Sequence, residues 1–154
     1  MFNNNLKYCR EELEMTQKEL GHIFGVHKST VSGWETAKDI MPINKIIKFC
    51  NMYGYSVDFV MGLSRQNYPY SKIKPDKKQI GMKLKKLRKD LKLTQYNMAN
   101  ECSISQTTYS NYESGLYLIS TLTLYTICKK YNISADYLLG RNKNKIRNVR
   151  NENH

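Results

Sequence analysis

Thr16-Gln17-Lys18-Glu19-Leu20-Gly21 reads as the start of a helix. The Thr16 hydroxyl suits an N-cap, and Glu19, three residues on, can reach back to the cap's own amide, which makes a capping box. Gly25-Val26-His27 follows, and then Lys28-Ser29-Thr30-Val31-Ser32-Gly33-Trp34-Glu35 begins a second helical run. Gly25 can take the left-handed conformation that a tight turn needs. Gly21 is small where the two helices must cross, Val26 is expected to bury the turn, and Val31 with Trp34 anchors the second run to a core.

The same pattern returns 78 positions later without a gap. Thr16-Gln17 is matched by Thr94-Gln95, and the offset also pairs Leu6 with Leu84, Arg10 with Arg88, Leu13 with Leu91 and Thr30 with Thr108. It continues through Ser32 and Ser110, Glu35 and Glu113, Cys50 and Cys128, Asp58 and Asp136, to Gly62 and Gly140. One supersecondary arrangement written twice predicts two small domains.

Apolar residues in both copies recur at three and four, not at two, so the elements are helices. In the second copy Leu84, Leu87 and Leu91 stripe a first helix, Thr94 caps a second, Ser105 a third, Ser120 a fourth and Ser134 a short fifth that Gly140 ends. The first copy follows suit, with Pro42 at the start of its fourth helix and Ser56 at its fifth. The expected architecture is all-α, five short helices twice, with domains at 1–64 and 78–141, a Pro-containing linker at 65–77 and a basic disordered tail at 142–154. The linker holds Pro69 and Pro75. At about fifteen residues it would extend to roughly 50 Å.

Composition narrows the function. Lys plus Arg number 25 against 13 Asp plus Glu, a net charge of +12, spread unevenly: residues 1–65 are almost neutral, and the positive field belongs to the rest. Such an excess points to a polyanion. No apolar run is long enough for a membrane span, and the start lacks a signal-peptide core, so a cytoplasmic protein with no membrane role is expected. The four cysteines form no CxxC pair and His22, His27 and His154 have no zinc spacing, so we expect reduced core thiols, no metal and no cofactor. With no nucleophile–base pair, phosphate-cradling Gly loop or metal cluster, the chain is not expected to be an enzyme, and no small-molecule substrate is evident.

Thr16-Gln17-Lys18-Glu19-Leu20-Gly21, Lys28 to Glu35 and Ser56-Val57-Asp58-Phe59-Val60-Met61-Gly62 resemble the phage-repressor/Cro-type (xenobiotic-response-element) helix-turn-helix family. The second copy resembles it through Leu93-Thr94-Gln95, the run Gln106 to Gly115 and Ser134-Ala135-Asp136-Tyr137-Leu138-Leu139-Gly140. The resemblance implies two lambda-repressor-like domains that place their third helix in the major groove of double-stranded DNA. It also implies that Gln17 and Gln95 meet a phosphate, and that Arg10 with Glu35, and Arg88 with Glu113, form structural ion pairs.

The residues agree with that implication. In the first copy Lys28, Ser29, Ser32 and Gly33 flank the inward Val31 and Trp34, so they are expected to face DNA. In the second, Tyr109 and Tyr112 turn inward while Gln106, Thr107, Ser110 and Asn111 turn outward. Gln and Asn suit bidentate contacts to adenine, and hydroxyls are permissive. Three departures weaken the first copy or strain the second: Gly33 offers no side chain where Asn111 does, His27 is an indifferent N-cap beside Ser105, and Ser103 stands in the turn where Gly25 does. The expected function is a sequence-specific transcriptional regulator, a repressor, with two reading heads. The alternative is that only the second domain binds DNA while the first mediates self-association or holds a partner protein. A homodimer is compatible with either.

Overall fold

In the computed structural model, residues 3–68, 70 and 72–147 are described. The chain divides into two units at residues 70/71. Among the described residues the secondary structure is helical, with one isolated antiparallel bridge, Ile133 to Ile146.

The first unit contains α1 (Leu6–Glu12), α2 (Gln17–Phe24), α3 (Lys28–Glu35), α4 (Ile43–Tyr53) and α5 (Val57–Val60). Thr16 and Glu19 form the reciprocal capping box, and Gly25 ends α2 at φ +66°. Gly21 is small for a reason: a Cβ there would stand 2.6 Å from the Val26 carbonyl oxygen, so α2 touches the turn backbone to backbone. Leu20, Phe24, Val31, Trp34, Ile46, Phe49, Cys50, Val57 and Met61 fill the interior. His27, expected to cap poorly, does cap α3: its Nδ1 accepts from the Ser29 amide at 3.2 Å. A neutral imidazole has one acceptor nitrogen, and here it takes the place a Ser oxygen would fill.

The second unit repeats the order as α6 (Lys77–Asp90), α7 (Gln95–Glu101), α8 (Gln106–Glu113), α9 (Thr121–Tyr131) and α10 (Ala135–Leu138). Thr94, Ser105, Ser120 and Ser134 each accept from an amide of the first turn. Ser103 takes the turn at φ +56°, the conformation that its partner Gly25 adopts freely. α6 runs 14 residues against seven in α1. Its two extra turns lie against α8 at Gly81, where a Cβ would be 2.3 Å from the Glu113 carbonyl oxygen. Ile80, Leu84, Leu87, Met98, Tyr109, Ile119, Leu124, Ile127 and Leu138 form the core. All four cysteines are free thiols, three of them buried. Burial pushes Cys9 up to about 12 and Cys102 up to about 11, which suppresses the thiolate.

The tail begins later than the sequence suggested. Arg141 is buried and its Nε donates to Asp136, itself fully buried, at 2.8 Å. The Ser134 amide donates to the Lys145 carbonyl at 2.9 Å, and the Arg147 amide to that of Asn132 at 3.4 Å. Residues 141–147 are therefore a return segment across the α9–α10 corner, because a buried aspartate and open backbone groups there need partners. The remaining residues of the expected tail, 148–154, lie outside the described ones.

The first unit closes its corresponding corner with a side chain. Asn67 Oδ1 accepts from the Ser56 amide at 2.7 Å, and Nδ2 donates to the Gly54 carbonyl at 3.0 Å. Asn67 and Lys145 are again 78 apart, as are Ser56 and Ser134. In the second unit, the Ile73 side chain lies 3.1 Å from where a Cβ on Gly140 would stand. The segment expected as a linker is thus not free along its whole length.

Candidate nucleic-acid interface

Each unit holds its third helix through one repeated charge cluster. In the first, Arg10 donates from Nε to Glu35 at 2.6 Å, from a terminal nitrogen to the other Glu35 oxygen at 3.1 Å, and to the Met15 carbonyl at 2.7 Å. In the second, Arg88 makes the same three bonds, to Glu113 at 2.6 and 3.2 Å and to the Leu93 carbonyl at 2.9 Å. The side chains are 10% and 3% exposed in one pair and 12% and 4% in the other. The planar guanidinium fits a carboxylate bidentately, so each pair fixes an orientation as well as a distance.

Gln17 and Gln95 join the same clusters. Their amide nitrogens donate to Glu35 at 3.0 Å and to Glu113 at 2.9 Å. An amide NH₂ carries two hydrogens, so each glutamine keeps one donor beyond the carboxylate, at the first position of α2 or α7. Burial alone would raise the Glu113 carboxyl, but the hydrogen bonds from Arg88 and Gln95 hold it below the usual carboxylate range. Tyr109, where the first unit has Val31, is fully buried, with its hydroxyl beside the Glu113 charge. Burial first, and the Glu113 charge second, push that hydroxyl's titration up.

Outside these clusters the two third helices differ. On α8, Gln106 and Thr107 are exposed, Ser110 and Asn111 half-buried, and Tyr109 and Tyr112 lie inside. On α3, Lys28 and Ser29 are exposed and Ser32 is half-buried. Ser29 shares its hydroxyl with His27 Nδ1 at 2.8 Å. Gly33 departs from expectation: it is buried, not outward. The chain reverses at Ala37, φ +60°, and returns so that the Asp39 amide donates to the Gly33 carbonyl at 3.0 Å. A Cβ on Gly33 would stand 2.4 Å from Asp39 Oδ2. The Asp39 side chain lies over the space that a side chain at 33 would enter, and α3 carries a carboxylate over its last turn.

Sequence reading missed Asp39. The signal was available in the repeat itself, since Ala37 and Asp39 stand where the second copy has Gly115 and Tyr117. Lys83 belongs to a basic run with Lys85, Lys86, Arg88, Lys89 and Lys92 that, as sequence, reads as a solvated face. Lys83 donates instead to the Tyr137 carbonyl at 2.9 Å and lies over the Tyr137 ring, and burial lowers its titration. Lys85, Lys86, Lys89 and Lys92 remain exposed near α7 and α8. Tyr53, Tyr131 and Tyr137 are half-buried, whereas Phe59 is buried. Among the described residues no helix is long and apolar enough to cross a membrane.

Comparison with known proteins bears on both units. A family model described as a helix-turn-helix matches residues 6–60, and one described as a helix-turn-helix domain matches residues 81–143. The chain is 29% identical over 110 residues to YobD of Bacillus subtilis, an uncharacterized HTH-type transcriptional regulator, covering 63% of this chain and 98% of that protein. It is 39% identical over 64 residues to the antitoxin PezA of Streptococcus pneumoniae, and 42% identical over 64 residues to YqaE of Bacillus subtilis, another uncharacterized HTH-type transcriptional regulator. Those two matches cover 42% and 41% of this chain but only 40% and 55% of the relatives. No solved structure matches.

Proposed function

We propose that this chain, whose residues 6–60 and 81–143 are helix-turn-helix domains, is a double-stranded-DNA-binding transcriptional regulator that represses by occupying promoter DNA. The reading rests above all on α8: an outward ridge of Gln106, Thr107, Ser110 and Asn111 on a helix locked from behind by Arg88, Gln95 and Glu113. In the major groove Gln106 and Asn111 have the donor–acceptor pairs that read adenine, while the hydroxyls of Thr107 and Ser110 suit several bases. The free amide hydrogens of Gln17 and Gln95, at helix N-termini, take phosphates. Arg10, Glu35, Arg88 and Glu113 hold the reading helices and do not touch DNA. The function assigns no catalytic step, acts in the cytoplasm, and is compatible with a homodimer.

The test is selection of duplexes from a random pool by the full chain, followed by Gln106→Ala/Asn111→Ala. The double variant should lose affinity for the selected site by roughly 2–6 kcal/mol, at one to three per bidentate contact, and change little on random duplex. Equal loss on every sequence would contradict base reading.

A second reading keeps DNA binding for α8 alone, with the first domain serving self-association or a partner. Asp39 over the last turn of α3 favours it, since a carboxylate there meets phosphate repulsively, and residues 1–65 are almost neutral. Lys28→Ala/Ser32→Ala in the full chain separates the two: unchanged affinity and sequence preference would establish the second reading.

A further inference from the structure

The outer face of α2 and the turn after it form a groove of about 780 Å³ in the first unit. Its floor is Ile23 and Val26, both half-buried. Lys18, His22, His27 and Lys28 rim it. One carboxylate, Glu19, is also present, but it is turned back on the Thr16 amide and hydroxyl at 3.3 and 3.1 Å, inside the capping box. Among its described lining residues, the groove therefore has an apolar bottom, a basic edge and one acid, already engaged.

The second copy is the internal control. At the same offset Lys18, His22, His27 and Lys28 become Tyr96, Asn100, Ser105 and Gln106, and the floor residue Ile23 becomes Glu101. Glu101 is bound there to Tyr131 and to Lys130, 3.1 Å away. Neither the turn nor the capping of α2 requires these basic residues, since the second copy makes the same fold without them. The combination belongs to the first domain alone.

We infer that this groove binds a small organic anion with an apolar body, such as an aromatic or aliphatic carboxylate or sulfonate, and that occupancy competes with DNA at Lys28. The volume lies within the ordinary range for small-molecule sites, and the apolar floor has no use for a bare phosphate. Charge complementarity sets the class of ligand: the hydrocarbon part lies on Ile23 and Val26, and the anionic group meets Lys18, His22 or Lys28. Because Lys28 opens α3 and His27 caps it, a bound anion neutralises the one cation that the α3 ridge offers to DNA. The competition rests on the DNA reading above; the binding itself does not.

The test uses the full chain and two probes of similar shape, anilinonaphthalene sulfonate and the neutral N-phenylnaphthylamine, followed by fluorescence titration without DNA. The sulfonate should bind at least roughly tenfold tighter than the neutral probe. Ile23→Glu, which installs the second copy's residue, should weaken it by roughly tenfold. Lys18→Gln/His22→Asn, two exposed positions, should reduce the preference for the anion several-fold, Lys28 remaining, while leaving the neutral probe unaffected, with unchanged circular dichroism. Equal binding of the two probes, or sulfonate binding indifferent to both variants, overturns the site. Intact sulfonate binding that leaves affinity for the selected duplex unchanged overturns the competition alone.

Discussion

Arg10→Met should destabilise the first domain severely, and Arg10→Met/Glu35→Gln should recover much of the loss. Removing the guanidinium leaves the Glu35 carboxylate, 3% exposed, with the Gln17 amide as its remaining side-chain partner in the cluster and the Met15 carbonyl without its donor. Breaking one side of a buried pair costs about 3–5 kcal/mol; with Arg10 itself 10% exposed the lower end applies, about 3. Neutralising Glu35 as well removes the stranded charge and leaves a deficit of neutral hydrogen bonds, about 1–2 kcal/mol. For a domain this small the urea slope is about 1 kcal/mol/M, so the single variant's midpoint should fall by about 3 M and the double's by about half that. The assay is built into the chain. Trp34 is the only tryptophan, sits on α3 beside Glu35, and its emission follows the unfolding of this domain alone. A double variant less stable than the single would refute the view that Arg10 is held by a buried carboxylate, as would a shift below about 0.5 M for Arg10→Met.

Ser103→Gly should stabilise the second domain by about 0.5–1 kcal/mol, because Ser103 is held at φ +56° where a Cβ is strained; the thermal midpoint followed by circular dichroism checks it. Arg141→Ala should cost about 3 kcal/mol by removing the buried cation that faces the buried Asp136 carboxylate, and a melt unchanged by this variant would return residues 141–147 to the status of a loose tail. Acid should weaken the second domain through Glu113. Its folded-state titration is depressed, so its contribution is complete above the ordinary carboxylate range near pH 4–5 and is lost as pH falls below it through the depressed value. Urea midpoints between pH 3 and 6 should show this slope in the native chain and a shallower one in Glu113→Gln.

What the sequence made legible was what is decided locally. A Thr or Ser before a helix determines the cap by itself, and all six caps of this kind, from Thr16 to Ser134, stand where the residues put them; at Thr16 the glutamate three residues on completes a box. The 78-residue offset carried the rest, since a residue repeated in the same frame must serve the same geometry. What escaped was set by distant partners. Gly33 reads as an open position on a helix face until Ala37, an unexpected residue for a positive φ, turns the chain and lays Asp39 over it. Residues 141–147 have the composition of a solvated tail, and their backbone bonds to Asn132 and Ser134 leave no trace in side-chain pattern. Lys83 looks like its neighbours along α6 and differs only in what lies across from it, the Tyr137 ring and carbonyl.

The clasp at the end of each unit changes how the protein should be cut and joined. A graft of the first head that stops at Leu63 would discard Asn67 and open the Gly54–Ser56 corner to solvent, and one of the second that stops at Gly140 would strip Asp136 of Arg141. Portable versions should run through Asn67 and through Arg147. What passes for spacer after the first unit thus contributes a fastening at the same offset as the stretch that fastens the second.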